Sequence, residues 1–151
     1  MKAEFKIEEA RKSDHVALVD LLKRTNLPPD GIEPHLNNFL VIRHTEATAG
    51  SEFLVGSVGL EIYGGSALLR SLVVHPDFQR IGLGTRLVDR IIKVAKEKGI
   101  NHLFLLTDTA EEYFKKKGFV TVTRDQVPYE MKQSVEFTTL CTSSPSMMRE
   151  I

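Results

Sequence analysis

The period of the hydrophobic positions changes several times along this chain, and each change marks an element. Phe5 and Ile7 alternate with charged neighbours, which predicts a short strand. Ser13 stands as a cap before His15, Leu18, Val19 and Leu22, whose i, i+3, i+4, i+7 spacing predicts an amphipathic helix. The run LPPDG at 27–31 stops that helix, residues 32–38 suit a short second one, and 39–43 return as a strand. A polar loop at 45–51 leads into two apolar strands, 53–63 and 67–74, joined as a hairpin at Gly64-Gly65.

The clearest periodicity lies over 84–98. Leu87, Val88, Ile91, Ile92 and Ala95 make one face and Arg86, Asp89, Arg90, Lys93, Lys96 and Glu97 the other, with Gly99 as the stop. Residues 102–106 read as a short strand. Thr109 suits a cap for a helix over 110–117 ended by Gly118, and 119–122 read as another strand. Pro128 fits the first turn of a short helix, and 136–141 are expected to form the last strand. The tail SSPSMMREI, 143–151, is expected to be flexible, leaving 1–142 as a single domain.

Composition narrows the function classes. A hydrophobic content of 42% in 151 residues is enough for a real core. Twenty basic residues balance twenty acidic ones, so the broad positive field of a nucleic-acid binder is missing and a small ligand is favoured. No apolar run approaches membrane-spanning length and the first residues lack a secretory pattern, so a cytoplasmic protein with no membrane partner is expected. Cys141 is the single cysteine and the five histidines never pair at metal spacing, so no metal is assigned. Cys141 itself reads as a small buried hydrophobe.

The chemistry concentrates at Gln79-Arg80-Ile81-Gly82-Leu83-Gly84, between an apolar strand and the long helix. A helix start beside a strand end presents backbone N–H groups to an anion, and the glycines keep side chains out of its way. The third glycine of the dinucleotide fingerprint is missing, Leu87 standing in its place, and no Lys-Ser/Thr pair follows as in a phosphate-binding P-loop.

The loop, the preceding LRSLVVHP and the later AEEYFKKKGF resemble the acyl-CoA signature of the GNAT superfamily of N-acetyltransferases, over nearly the whole chain. The resemblance implies a mixed α/β fold of the GNAT type, a central and mostly antiparallel sheet flanked by helices. LLRSLVVHP, LLTDTAEEYFKKKGF and EFTTLC further resemble an arsenic-resistance-associated branch of small acetyltransferases. The implied activity is transfer of acetyl from acetyl-CoA, the cosubstrate, to a primary amine of a small molecule, an amino acid or an amino-bearing analogue including an arsenical one. Protein or peptide N-terminal acetylation, and a non-catalytic acetyl-CoA-binding module, are the alternatives. A homodimer is left open.

By the same resemblance the backbone of Leu72, Val73 and Val74 lies along the pantetheine arm, with the Val73 N–H stabilising charge on the thioester oxygen. The apolar side chains of Leu72 and Val74 themselves read as core. Gln79, Arg80, Ile81, Gly82, Leu83, Gly84 and Thr85 surround the diphosphate, and Thr107 and Phe114 stand at further cofactor positions. Phe114 replaces the tyrosine that often acts as general acid, and Tyr113 is the adjacent substitute, about 100° around the helix. Glu61, a carboxylate inside an apolar strand, is the candidate general base, with facing solvent or pairing to Arg70 as the equal alternative. Arg70 and Ser71 are candidate acceptor-binding residues, Arg70 through a carboxylate. His75 reads as shaping the turn before Pro76.

Overall fold

Most elements form where the periodicity places them. The computed structural model describes residues 5–44, 53–140 and 143–151; the polar loop at 45–51 and Cys141 lie outside the described residues. The strands are β1 (Ile7–Glu9), β2 (Phe39–Arg43), β3 (Leu54–Tyr63), β4 (Ser66–Val74), β5 (His102–Leu106), β6 (Val120–Val122) and β7 (Ser146–Glu150). The α-helices are α1 (His15–Arg24), α2 (Leu83–Glu97), α3 (Glu111–Lys116) and α4 (Tyr129–Lys132).

The strands form one sheet in the order β1-β2-β3-β4-β5-β7-β6. The pairs β1–β2, β2–β3, β5–β7 and β6–β7 are antiparallel, while β4–β5 is parallel over Ser66–Leu68 against His102–Phe104. That parallel step requires a crossover, and α2 supplies it. Its predicted apolar face is buried as expected, from Leu87 and Val88 through Ile91 and Ile92 to Ala95, with Leu83 added at its start.

Contacts group the chain into two compact units, Met1–Gly59 with Ser71–Ile91, and Leu60–Arg70 with Ile92–Ile151. The first has a core of Leu18, Leu21 and Leu22 from α1 with Ile32, Leu36, Phe39, Val41, Leu54 and Val73. The expected face of α1 is therefore turned slightly: Leu21 is buried, while His15 and Val19 are half-buried. Asp14, in place of Ser13, is the residue before its first turn; the Asp14 carboxylate accepts the Arg11 N–H at 2.6 Å, closing the preceding 3-10 turn Lys12–Asp14, and binds the guanidinium of Arg43. Burial alone would raise the Asp14 pKa, but the hydrogen bonds from Arg43 and the Arg11 backbone hold it below the ordinary carboxylate range. The second unit packs Leu68 and Phe104 against Val127, Met131 and Phe137.

The C-terminal expectations need correction. Residues Glu136–Leu140 form a π-helical turn, not a strand, with the Ser134 carbonyl accepting the N–H groups of Phe137 and Thr138. The supposed flexible tail contains β7, which pairs with β5 on one side and β6 on the other. The polar SSPS run hides this strand, but Met147 is completely buried within it.

Candidate active site

In the first unit, β4 reaches the loop before α2 through a conformational irregularity. Ser71 has φ 57°, a left-handed backbone that costs a non-glycine residue about 1–2 kcal/mol. The Ser57 hydroxyl, itself fully buried, donates to the Ser71 carbonyl at 2.8 Å and helps hold it there. After this irregularity Val73 enters the core, while Leu72 and Val74 are half-buried. The expectation that Leu72 and Val74 are core is thus reversed, since one irregular residue shifts the alternation of a strand. The backbone beyond it is closely packed: a Cβ on Gly56 would lie 2.9 Å from the Val73 carbonyl oxygen, and the His75 N–H donates to the Val55 carbonyl at 2.6 Å.

The connecting loop is stapled by its own side chains. His75 Nδ1 accepts the Asp77 N–H at 3.1 Å, which makes the ring a cap for the 3-10 turn Pro76–Phe78. The reading of His75 as a turn residue holds. His75 and Asp77 also line a cavity of about 460 Å³ with Asp20 and Arg24, which pair with each other at 3.2 Å. The Gln79 side-chain amide donates to the Val74 carbonyl at 2.9 Å and ties the loop back to the strand end. Gln79 therefore acts on the loop's shape, a role its motif position does not reveal.

Arg80 and Gly82 take φ 69° and 85° on either side of Ile81, so the backbone reverses twice before the helix. The Gly82 carbonyl accepts the Arg86 N–H at 3.1 Å. The amides of Leu83 and Gly84 precede that first helical bond and point out of the helix start. A Cβ added at Gly82 would meet nothing within 4 Å, and one at Gly84 would meet only a Val74 methyl at 3.9 Å. The space over these amides is open, as the approach of a diphosphate requires. The Leu83 side chain is buried and anchors the turn, while Arg80 and Ile81 are exposed.

The second unit brings other candidates together in a different way. Arg70 Nη1 lies 2.7 Å from Glu61 Oε2, and Arg70 Nε lies 3.3 Å from Glu136 Oε1. The Tyr63 hydroxyl donates to Glu61 Oε1 at 2.5 Å. Arg70 and Glu61 have side-chain exposures of 1% and 2%, so this is an internal network. Burial alone would raise the Glu61 pKa, but hydrogen bonds from Tyr63, Ser134 and Arg70 hold it below the ordinary carboxylate range. That is the wrong direction for a base that must take a proton from an ammonium group. Burial and the neighbouring Glu61 carboxylate push the Tyr63 pKa upward.

Of the readings of Glu61, the pairing with Arg70 is the arrangement present, and Arg70 is engaged by Glu61 and Glu136. Glu136 and Tyr63 were not visible as members of this group. The only signal in the sequence was a pair of charges on adjacent apolar strands.

The remaining expected residues serve local structure in the second unit. Thr107 Oγ1 accepts the Ala110 N–H at 3.0 Å, so Thr107 organises the start of α3 in place of the predicted Thr109. Phe114 is buried edge-on against Phe119, with ring centroids 5.5 Å apart, and Tyr113 packs edge-on against Phe114 at 5.1 Å. Among the described residues no helix is long and apolar enough to cross a membrane, and no cluster of three or more His, Cys, Asp or Glu residues is arranged to hold a metal.

Comparison with known proteins places this geometry. Residues 7–119 match the family model described as the acetyltransferase (GNAT) family. An amino-acid acetyltransferase of Ralstonia nicotianae is 33% identical over 104 residues, a match covering 68% of this chain and 22% of that protein. The chain thus aligns with about a fifth of that curated relative. N-acetylglutamate synthase from Neisseria gonorrhoeae, solved with coenzyme A and N-acetyl-glutamate, superposes with a TM-score of 0.78 at 24% identity, over 99% of this chain and 36% of that one. A Mycobacterium tuberculosis protein solved in complex with CoA superposes with a TM-score of 0.76 at 21% identity, over 97% of this chain and 99% of that one. At these identities the two structures establish the fold.

Proposed function

Because the chain belongs to the acetyltransferase (GNAT) family, we propose that it transfers acetyl from acetyl-CoA to the primary amine of a small amino acid or amino-bearing analogue. The observation that carries this reading is the glycine-opened start of α2 directly after the irregular end of β4. Acetyl-CoA supplies an acyl group activated as a thioester. The backbone amides between Arg80 and Thr85 hold its diphosphate, with glycine at 82 and 84 leaving room for close approach. The backbone of Leu72 to Val74 aligns the pantetheine arm, and the Val73 N–H faces the thioester oxygen as negative charge develops there.

The amine attacks as the free base. The new C–N bond forms, the C–S bond breaks, and the proton lost from nitrogen balances the one gained by the thiolate. With Phe114 buried at the usual acid position, that final proton comes from water. An amino acid acceptor is favoured because the Ralstonia nicotianae relative is an amino-acid acetyltransferase.

Release of CoA thiol with a panel of free amino acids, their amides, a short peptide and an arsenical amino-acid analogue tests the reading. Turnover with a free amino acid or its analogue is expected. Turnover with the peptide alone would replace the acceptor class, and thermal stabilisation by acetyl-CoA without turnover on any amine would leave only a binding module.

A further inference from the structure

One hydroxyl in β3 stands among apolar neighbours, and it lies against the irregular residue of β4. Ser57 sits in the run 54–60, whose other residues are leucine, valine and glycine and which is buried throughout. A buried hydroxyl is costly unless it is paired, and Ser57 donates to the Ser71 carbonyl at 2.8 Å. Ser71 stands at φ 57°, a backbone that persists in a residue with a side chain only where its surroundings over-determine it. Gly56, next to Ser57, makes room for the same stretch of β4, since a Cβ there would lie 2.9 Å from the Val73 carbonyl oxygen. Gly56 and Ser57 thus seat two carbonyls of β4, one residue by lacking a side chain and the other by donating from it. All four residues belong to the first compact unit.

We propose that Ser57 is a positioning residue for acetyl transfer, its hydroxyl fixing the direction of the Ser71 carbonyl and through it the course of the backbone from Leu72 to Val74. The inference rests on the acetyl-transfer reading given above, in which that backbone lies along the pantetheine arm. Its physical basis is the planarity of the peptide bond: the Ser71 carbonyl and the Leu72 N–H belong to one rigid unit, so whatever aims the first aims the second. Ser71 has further interactions, so the hydroxyl is not its only hold. What the hydroxyl adds is the orientation of this one peptide. Ser57 does not touch the reacting atoms in this scheme; it acts through the chain of β4.

Ser57→Ala and Ser57→Thr separate positioning from simple stabilisation, because the first loses the donor at little change in volume and the second keeps the donor but crowds a packed strand. At a temperature well below unfolding, Ser57→Ala is expected to lower kcat about 10- to 100-fold while the Kd for acetyl-CoA stays within about threefold, since a misaimed peptide affects the reacting geometry and not the grip on the diphosphate. Ser57→Thr is expected to keep kcat within about fivefold of the unmodified chain even where its melting temperature is the lower of the two. Activity that follows melting temperature in place of the donor would overturn the proposal. So would Ser57→Ala with kcat unchanged.

A second readout needs no turnover. In ¹⁵N-labelled protein without ligand, Ser57→Ala is expected to change the residual dipolar coupling of the Leu72 N–H, which reports the direction of that bond, while the couplings of α1 stay as they are. An unchanged Leu72 coupling would overturn the proposal even if kcat fell. An unmodified chain that neither binds nor consumes acetyl-CoA would overturn the proposed function, and the Leu72 coupling would still decide whether Ser57 aims this peptide.

Discussion

At Gly59 a methyl group would lie 2.3 Å from the ring of Phe39, so this strand position is defined by the aromatic face resting on it. Gly59→Ala is therefore expected to destabilise the protein by about 1–3 kcal/mol, measured by denaturant unfolding, because the ring has to leave a packed core. Gly82 is governed by backbone angle instead. Gly82→Val places a β-branched residue at φ 85° with no neighbour to clash against, so its effect belongs to the loop. Calorimetric titration should show the Kd for acetyl-CoA rising at least about tenfold while global stability falls by only about 1 kcal/mol or a little more. Tyr113→Phe tests the missing acid. Its ring packs on Phe114, and kcat is expected to stay within about threefold, because a neighbouring helical position projects about 100° away from the one the resemblance marks.

At the scale of elements, the irregularity in β4 is the feature that composition concealed. Ser71→Gly removes the cost of a left-handed side-chain-bearing residue and is expected to raise stability by about 1 kcal/mol, whereas Ser71→Val should lower it by more, both read from melting curves. The long helix α2 was legible because five apolar positions repeat with one period and a glycine follows. The glycine loop was legible because its residue types are demanded by backbone geometry. Inward and outward positions after Ser71 were not, since a single left-handed residue inverts the alternation without changing the residue types. EFTTL has strand-like composition, which hides the turn Glu136–Leu140, while Phe137 packs into a core that joins nearby Val127 and Met131 to Leu68 and Phe104 from far along the chain. Arg70 and Glu61 could be seen as unusual charges in apolar strands, but their third partner arrives from far along the chain.

For the whole molecule, the ionisable groups define a pH range of stability. The pKa values of Asp14 and Glu61 are lowered on folding from ordinary values of 3.8 and 4.5. Each therefore contributes stability that is complete above its unfolded value and is lost as pH falls through the folded one. Tyr63 is shifted up from 10.0, so its contribution is present below that value and is lost as pH rises through the folded one. Melting temperature is expected to be flat between about pH 5 and 9 and to fall outside both limits, as a series of thermal melts would show. The order of the strands has its own consequence. β7 is synthesised after β5 and β6 yet separates them in the finished sheet. Until β7 docks, the borders of β5 and β6 that it joins lack their hydrogen-bonding partner, and these are surfaces on which neighbouring nascent chains would aggregate.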